Sequence, residues 1–315
     1  MTTFLCRRLA YTIPILLGVT IIVFLTVKLI PGDPVALLAG TGASEQTKEA
    51  LAQRLGLDRS LPVQFWQWLS HAITGDLGMS IAQQQPVFGM VIDAFANTLI
   101  LAVYATVLAM VLGLLLGGLG ALRPDGIVGR AASVLSSVGL SAPQYSVALI
   151  LIVYVALTTN AFPVSGMADF GEDPGVLATL WHGFLPALTA ALVPAGVIAR
   201  TFRASLLSVM SMEFVEALRA RGLSRTRVLA HAVHNTTPSL ITMTGLQIGY
   251  LLGGVVFVET IFNWPGLGLL LFQSISSRDL PVTQAGVLIC AVSFVLINII
   301  VDMALAMIDP RVRTS

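Results

Sequence analysis

The sequence predicts an all-α polytopic membrane protein with six transmembrane helices. Of its 315 residues, 56% are hydrophobic and only 10% are charged, and the mean hydropathy is +0.88. Soluble domains carry roughly 25% charged residues, so this composition excludes an ordinary soluble enzyme and a nucleic-acid-binding protein. Six apolar stretches are long enough to cross a bilayer, and the arginines are concentrated between alternate stretches. Both observations indicate a chain that crosses the membrane repeatedly.

The six segments meet the length criterion for a bilayer span, which is about 20 mostly apolar residues. In chain order they are approximately Leu9–Ile30, Ala94–Leu122, Ile127–Leu157, Trp181–Ala199, Pro238–Val258 and Val282–Met307. The first could be mistaken for a signal peptide, because Arg7 and Arg8 precede it. Its apolar run is longer than that of a signal peptide, so we expect a retained transmembrane helix.

The charged residues outside these segments predict the orientation of the chain. One set of connections and termini contains most of the arginines, namely Arg7, Arg8, Arg123, Arg130, Arg200, Arg203, Arg219, Arg221, Arg225, Arg227, Arg311 and Arg313. The other set is mostly acidic and contains Asp33, Glu45, Glu49, Asp58, Asp76, Asp93, Asp169, Glu172, Asp173, Glu259 and Asp279. Because arginine-rich segments remain on the cytoplasmic side, we expect both termini in the cytoplasm.

The predicted organisation has three parts. Residues 1–30 form the N-terminal end and the first span, residues 31–93 form an extracytoplasmic region, and residues 94–315 form a core with a cytoplasmic loop at 200–237. Within residues 31–93, Ser44 begins one short helix, and Pro62–Leu69 predicts a second helix with an aromatic face. That face could serve internal packing, the membrane interface or the docking of a partner.

Two absences argue against a chain that powers its own transport. The only lysines are Lys28 and Lys48, and neither follows a glycine, which excludes the phosphate-binding loop G-x-x-x-x-G-K-[ST]. Proton-driven and sodium-driven carriers usually need ionisable groups within the bilayer. Lys28 and Asp302 both lie close enough to a span end to reach the interface. The sequence therefore predicts that energy comes from elsewhere.

Neither a metal site nor an intramembrane enzyme is expected. His231 and His234 have helical i, i+3 spacing, but no third ligand is evident nearby. Ser141 and Ser146 have no histidine or aspartate in the same predicted span that could activate them as nucleophiles. An autonomous channel or secondary transporter remains the alternative to a partner-driven permease.

Two series of small residues predict close helix packing. Gly113 and Gly117 in the second span, and Gly245, Gly249 and Gly253 in the fifth, recur at intervals of four residues. Glycines at this spacing let another backbone approach closely. The same ridge would suit helices that tilt past each other in a gate, so Gly245, Gly249 and Gly253 are candidate packing or gate residues.

The cytoplasmic segment 212–225 has the most distinctive pattern. Phe214, Ala217 and Leu218 would form an apolar face on a short helix, and Gly222 would end that helix. The helix is too short and too polar to enter lipid, so we expect its apolar face to fit a groove on a protein partner. The alternative is a basic helix that lies on the membrane surface.

These features together resemble the transmembrane permease subunits of binding-protein-dependent ABC importers, in particular the first permease subunit of the dipeptide/oligopeptide/nickel group. Glu216-Ala217-Leu218 with Gly222 is similar to the E-A-A-x-x-x-G loop of these proteins, although Leu218 replaces the second alanine and the match weakens beyond Val228. Five further motifs follow in the same order, namely Ile30–Pro34 (I-P-G-D-P), Gly75–Ser80 (G-D-L-G-x-S), Glu259–Gly268 (E-T-I-F-x-W-P-G-L-G), Arg278–Pro281 (R-D-x-P) and Asp309–Arg313 (D-P-R-x-R).

The resemblance implies a type I importer permease fold with an extracytoplasmic insert after the first helix and a cytoplasmic coupling helix. The residues that it implies for coupling to an ATPase are Glu213, Phe214, Glu216, Ala217, Leu218, Arg221 and Gly222. Candidate extracytoplasmic gate or docking residues are Asp33, Glu259 and Asp279. The chain itself would be non-catalytic and would bind no cofactor, because ATP and Mg²⁺ would bind to the partner ATPase subunits.

The implied assembly lies in the bacterial inner membrane. It contains a second homologous permease subunit, two ATPase subunits and an extracytoplasmic solute-binding protein that delivers the substrate. The implied function is to form half of the translocation pathway for small peptides. Transport of nickel or glutathione by an importer of the same group is the alternative.

Overall fold

A computed structural model describes residues 2–29, 44–54, 56, 58–169, 171 and 175–308. Apart from an isolated bridge between Met79 and Pro86, the regular structure of these residues is helical. The helices are α1 (Thr2–Leu29), α2 (Glu45–Arg54), α3 (Leu61–Ile73), α4 (Val87–Leu122), α5 (Ile127–Ser141), α6 (Gln144–Leu151), α7 (Val176–Met210), α8 (Glu213–Ala220), α9 (Arg225–Ile261), α10 (Leu267–Ser276) and α11 (Leu280–Ile308). A π-helical segment, Ile152–Leu157, continues α6.

The helices are compatible with the six predicted spans. Within the described residues, α4, α7 and the Leu280–Val301 part of α11 are each long and apolar enough to cross a membrane. Two bent pairs raise this number to five if each pair is counted as one span. The remaining predicted span corresponds to α1, whose described apolar part is Thr12–Thr26. All-α architecture and several apolar spans are therefore confirmed.

The third predicted span is not one continuous helix. α5 and the helix that begins at Gln144 meet at an angle of 109°. Pro143 lies at the break, and the preceding Ala142 has an extended backbone with ψ of 126°. A proline disfavours the helical conformation of the residue before it, which explains why α5 ends at Ser141. The expected single span over Ile127–Leu157 was wrong in this respect.

The expected cytoplasmic loop at residues 200–237 is also largely helical. α7 continues to Met210, α8 occupies Glu213–Ala220, and α9 begins at Arg225. Hydropathy detects only the part of a helix that lipid can cover, so the polar extensions of α7 and α9 were not visible as helix in the apolar pattern. Only short turns connect α8 to its neighbours.

The chain divides into two compact units. One comprises Thr2–Phe95 with Leu270–Val295, and the other comprises Ala96–Leu269 with the segment from Leu296 onward. In the larger unit, α7 packs against α5 and α9 around the buried side chains of Leu101, Leu185, Ile198, Leu251 and Trp264. Alanine is the most frequent residue in the buried part of α7, and such small side chains let neighbouring backbones approach closely.

The glycines of the predicted stripes mostly lie at helix contacts. A Cβ on Gly117 would lie 2.6 Å from the carbonyl oxygen of Ala199 on α7, and one on Gly113 would lie 2.6 Å from Ile198 Cγ2. A Cβ on Gly245 would overlap Val301 of α11. Gly249 is buried, whereas Gly253 has open space where a side chain would be and lies next to a 51° bend in α9.

In the smaller unit, the aromatic face of α3 packs against α1. The rings of Phe24 and Phe65 meet edge to face with centroids 5.5 Å apart, and Trp68 lies 6.1 Å from Phe24. Trp66 remains 61% exposed. Packing therefore accounts for Phe65 and Trp68, and Trp66 is the aromatic side chain left for the interface or for a partner.

Candidate functional site

The short helix α8 is stabilised at both ends by its own sequence. Glu213 and Glu216 lie in its first turn and Arg219 in its last, which matches the sign of the helix dipole at each end. Gly222 follows with φ of +78°. Its N–H donates to the Arg219 carbonyl at 2.9 Å, and the N–H of Leu223 donates to the Leu218 carbonyl at 3.2 Å. This pair of bonds is a Schellman motif, so Gly222 ends the helix as expected.

The two faces of α8 have different environments. Val215 is fully buried, and Phe214 packs against a buried cluster that includes Phe202, Leu206 and Val209 of α7. The opposite face presents Glu213, Glu216, Ala217 and Ala220 to solvent.

This arrangement corrects the expected apolar stripe. Phe214 and Leu218 are partly buried in the chain, and of the three stripe residues only Ala217 is exposed. The short turns on either side hold α8 against its neighbours, so its larger apolar side chains are covered internally. The surface left for a partner has two glutamates in the first turn of α8, followed by the alanines Ala217 and Ala220.

A groove of about 480 Å³ lies beside α8. It is lined by residues of α4, α7, α8, α9 and the turn after α8, namely Ala121, Leu122, Leu206, Leu207, Met210, Arg219, Leu223, Arg225, Val228 and Leu229. Arg219, Arg221, Arg225 and Arg227 are exposed along this part of the chain. The region therefore offers an apolar floor with basic edges next to the acidic, alanine-containing face of α8.

Replacing Gly222 by alanine is expected to lower the free energy of unfolding by about 1 kcal/mol, because a side chain disfavours positive φ. No atom lies within 4 Å of the Cβ position, so steric overlap would contribute nothing. Gly89→Ala is the matched control, since Gly89 also has an open Cβ position but lies in a helix. Thermal unfolding of both purified variants measures the difference. Equal stability of the two would contradict the backbone argument.

A second candidate site centres on Glu259, at the end of α9. Its side chain is 0% exposed. The carboxylate accepts hydrogen bonds from Thr98 Oγ1 at 2.6 Å, from the Gly268 N–H at 2.6 Å and from the Leu269 N–H at 3.3 Å. Because α10 begins at Leu267, the last two donors belong to its first turn. Glu259 therefore caps the N-terminus of α10, where a negative charge is favourable.

Two glycines of the surrounding motif leave the space that the Glu259 carboxylate occupies. A Cβ on Gly266 would overlap the Glu259 carboxylate, and one on Gly268 would lie 2.7 Å from Glu259 Oε2. The Trp264 Nε1–H donates to the Asn97 carbonyl at 3.0 Å, and Asn97 Nδ2 donates to the Pro265 carbonyl at 2.9 Å. The Glu259–Gly268 segment is thus a single hydrogen-bonded turn attached to α4.

Asp279 is the centre of a similar arrangement in the smaller unit. It is 2% exposed, and its carboxylate accepts hydrogen bonds from Ser80 Oγ, from the Ile81 N–H at 3.2 Å and from the Ala82 N–H at 3.1 Å. The Asp279 carbonyl accepts the N–H of Thr283 in the first turn of α11. The Gly75–Ser80 and Arg278–Pro281 motifs therefore contact each other through the hydrogen bond between Ser80 and Asp279.

These contacts define where the predicted gate or docking residues lie. Glu259 and Asp279 are buried acceptors that hold turns, and their proposed gate or docking role remains a prediction. Asp33 lies outside the described residues. Sequence reasoning missed Thr98 and Asn97 as partners of the Glu259 turn, because no local pattern marks them.

The structure places histidines in two different environments, exposed on α9 and buried within α7. His231 and His234 are exposed on α9, and the described residues contain no group of three or more His, Cys, Asp or Glu side chains arranged to hold a metal ion. His182 is buried within α7, with Nε2 3.7 Å from Asp169 Oδ1 and with no described partner for Nδ1. No sequence motif had marked His182.

Residues 109–314 match the family described as "Binding-protein-dependent transport system inner membrane component", and residues 1–102 match the corresponding N-terminal family. The chain is 39% identical over 315 residues to the "Glutathione transport system permease protein GsiC" of Escherichia coli strain K12, with 99% of both chains covered. The protein of the same name from Salmonella typhi has the same identity and coverage.

The structure is similar to that of a solved methionine ABC transporter, MetNI, in inward-facing conformations. The TM-score is 0.55, and the match covers 70% of this chain and 96% of that chain. Sequence identity over the match is 17%, so this similarity concerns the fold.

Proposed function

Because the chain belongs to the family of binding-protein-dependent transport system inner membrane components, we propose that it forms half of the translocation pathway of an importer for small peptides. It is an ABC importer permease subunit, and relatives of this kind are not catalytic. The observation that carries the assignment is the family match over residues 109–314. The exposed outer face of α8 is consistent with it.

Glutathione is the first substrate to test. Relatives at 39% identity across 99% of the chain are named as glutathione transport permeases, and glutathione is a tripeptide. It therefore satisfies both the expected peptide class and the alternative raised by the sequence motifs. Dipeptides and nickel are the comparison substrates.

The outward face of α8 is the proposed contact with an ATPase subunit. Glu213, Glu216, Ala217 and Ala220 form a surface with acids at its N-terminal end and small side chains at its C-terminal end, which a groove with a basic rim at one end would accept. ATP and Mg²⁺ would bind to the ATPase subunits. Movement of those subunits would shift the permease between two states through contacts that differ between the states.

The opposite side of the membrane is proposed to receive the solute-binding protein. The acidic segments 31–93, 159–180 and 259–281 would lie there, with both termini in the cytoplasm of a bacterial inner-membrane assembly. Glu259 and Asp279 would act by holding their turns in shape rather than by touching the substrate. Gly245, Gly249 and Gly253 are proposed to form part of a gate, with a second permease subunit completing the pathway.

The test is uptake by proteoliposomes that contain the permease with its partner permease and ATPase subunits, together with the solute-binding protein. We expect ATP-dependent accumulation of labelled glutathione that exceeds that of a dipeptide or Ni²⁺ by at least about tenfold. Liposomes without the ATPase subunits are the control. Equal flux in that control would contradict the importer and favour an autonomous carrier, whereas a preference for dipeptide or nickel would change only the substrate.

A further inference from the structure

A small, partly open cavity lies between α4, α5 and α7 in the larger unit. Its volume is about 70 Å³. Its lining includes Gly117 of α4, Ser133, Ser136 and Ser137 of α5, and Arg200 and Arg203 of α7. Two arginines and three serines thus line a space large enough for a small anion.

Arg203 has the hydrogen-bonding pattern of a residue with a missing partner. Its Nη1 donates to Ser133 Oγ at 2.9 Å, but its Nε is buried and has no hydrogen-bond partner. The described carboxylates form no ion pair with it. The side chain as a whole is only partly buried, but buried donors such as this Nε are nearly always satisfied in proteins. The missing acceptor is therefore expected to be a bound anion.

The packing of α4 against α7 holds this arginine in place. A Cβ on Gly120 would lie only 3.1 Å from Arg203 Cδ, and one on Gly117 would lie 2.6 Å from the Ala199 carbonyl oxygen. The aliphatic part of Arg203 therefore lies along the backbone of α4, and any larger residue at Gly120 would displace it. The two glycines thus fix the guanidinium at the cavity.

The chemistry of the cavity favours a phosphate group. Arginine nitrogens are frequent donors to phosphate oxygens, because a guanidinium can present two N–H groups to two oxygens. The hydroxyl groups of Ser133, Ser136 and Ser137 already donate to the backbone carbonyls of Gly129 and Ser133, so the arginines are the donors left for an anion. The neighbouring surface of α5 is apolar, since Val134, Leu135 and Val138 are 61%, 58% and 56% exposed. Acyl chains of a phospholipid could cover that surface while the headgroup phosphate enters the cavity.

We propose that this cavity binds a phosphate group, carried by a phospholipid headgroup or present as free phosphate. Arg203 supplies the principal charge, Arg200 a second one, and Ser133 orients Arg203. The site is independent of substrate identity and of the coupling helix, so it would exist whether or not glutathione is the cargo.

The experiment is native mass spectrometry of the purified, delipidated transporter complex. Phosphatidylglycerol is titrated against wild type, Arg203→Gln and Arg130→Gln, the last being an exposed arginine outside the cavity. We expect Arg203→Gln to raise the apparent Kd at least about tenfold and Arg130→Gln to leave it unchanged. A diacylglycerol with the same acyl chains should bind all three proteins alike, because it has no phosphate.

Two further variants and one competitor complete the test. Ser133→Ala retains both charges and is expected to weaken binding by about threefold, and Arg203→Lys provides the comparison if Arg203→Gln does not assemble. Displacement of the lipid by inorganic phosphate would identify free phosphate as a ligand, and lack of displacement would assign the site to lipid. Equal affinity of phosphatidylglycerol for wild type and both Arg203 variants would overturn the proposal.

Discussion

Replacing Glu259 by alanine is expected to lower the free energy of unfolding by about 3 kcal/mol. The change would leave Thr98 Oγ1 and the N–H groups of Gly268 and Leu269 without their acceptor, and each buried unsatisfied group costs roughly 1–3 kcal/mol. It would also open a cavity against Gly266 and Gly268. Chemical or thermal unfolding of the purified transporter complex is the measurement.

The glutamine variant separates hydrogen bonding from charge. In Glu259→Gln the amide oxygen can still accept the N–H groups of Gly268 and Leu269, and the amide nitrogen can donate to Thr98. We therefore expect a loss of only about 1 kcal/mol. Thr260→Ala is the neighbouring control, because its hydroxyl donates only to the Val256 carbonyl within α9. If Glu259→Ala were no less stable than Thr260→Ala, the capping role would be refuted.

Replacing Glu216 by arginine is expected to reduce ATP-dependent uptake at least about tenfold. The melting temperature of the variant is expected to differ from that of the wild type by only about a degree or two. Glu216 is exposed on α8, so the loss of its favourable interaction with the helix dipole is expected to be a small cost in stability. Reversing its charge would place like charges together in the proposed ATPase groove, and such a contact costs enough to prevent docking. Uptake by the reconstituted complex is the primary measurement.

The control and a second variant locate the effect. Asp125→Arg makes the same change of charge at an exposed acid in the turn between α4 and α5 and should leave uptake unchanged. Ala217→Trp should block uptake by bulk instead of charge, because Ala217 is exposed in the middle of the same face. Loss of uptake without loss of ATPase binding in a pull-down would count against docking by α8.

The extent to which α8 was predictable illustrates where sequence reasoning succeeds. The periodicity of Phe214 and Leu218 and the position of Gly222 predicted a short helix with a left-handed stop, and both are present. These features depend on interactions within one or two turns of chain. The direction in which Phe214 points was not predictable, because it depends on the ends of α7 and α9 that border the helix.

The carboxylate sites show the converse. The motifs at Glu259–Gly268 and Arg278–Pro281 could be identified in the sequence. The hydrogen bonds that Glu259 and Asp279 accept within them could not. Glu259 and Thr98 are 161 positions apart, and Asp279 and Ser80 are 199 positions apart. No pattern within a helix or turn can pair such residues, so the assignment of Glu259 and Asp279 as internal acceptors required the folded chain.

By itself, the sequence determined the membrane character, the places of the apolar spans, the existence of α8 and its glycine stop, because hydropathy and helix capping act over short stretches of chain. Tertiary structure alone decided the helical character of most of residues 200–237, which side of α8 is buried, and which groups donate hydrogen bonds to the Glu259 and Asp279 carboxylates. These features arise where distant segments compete for the same buried space and for the same hydrogen-bond donors, and that competition is resolved only when the whole chain packs.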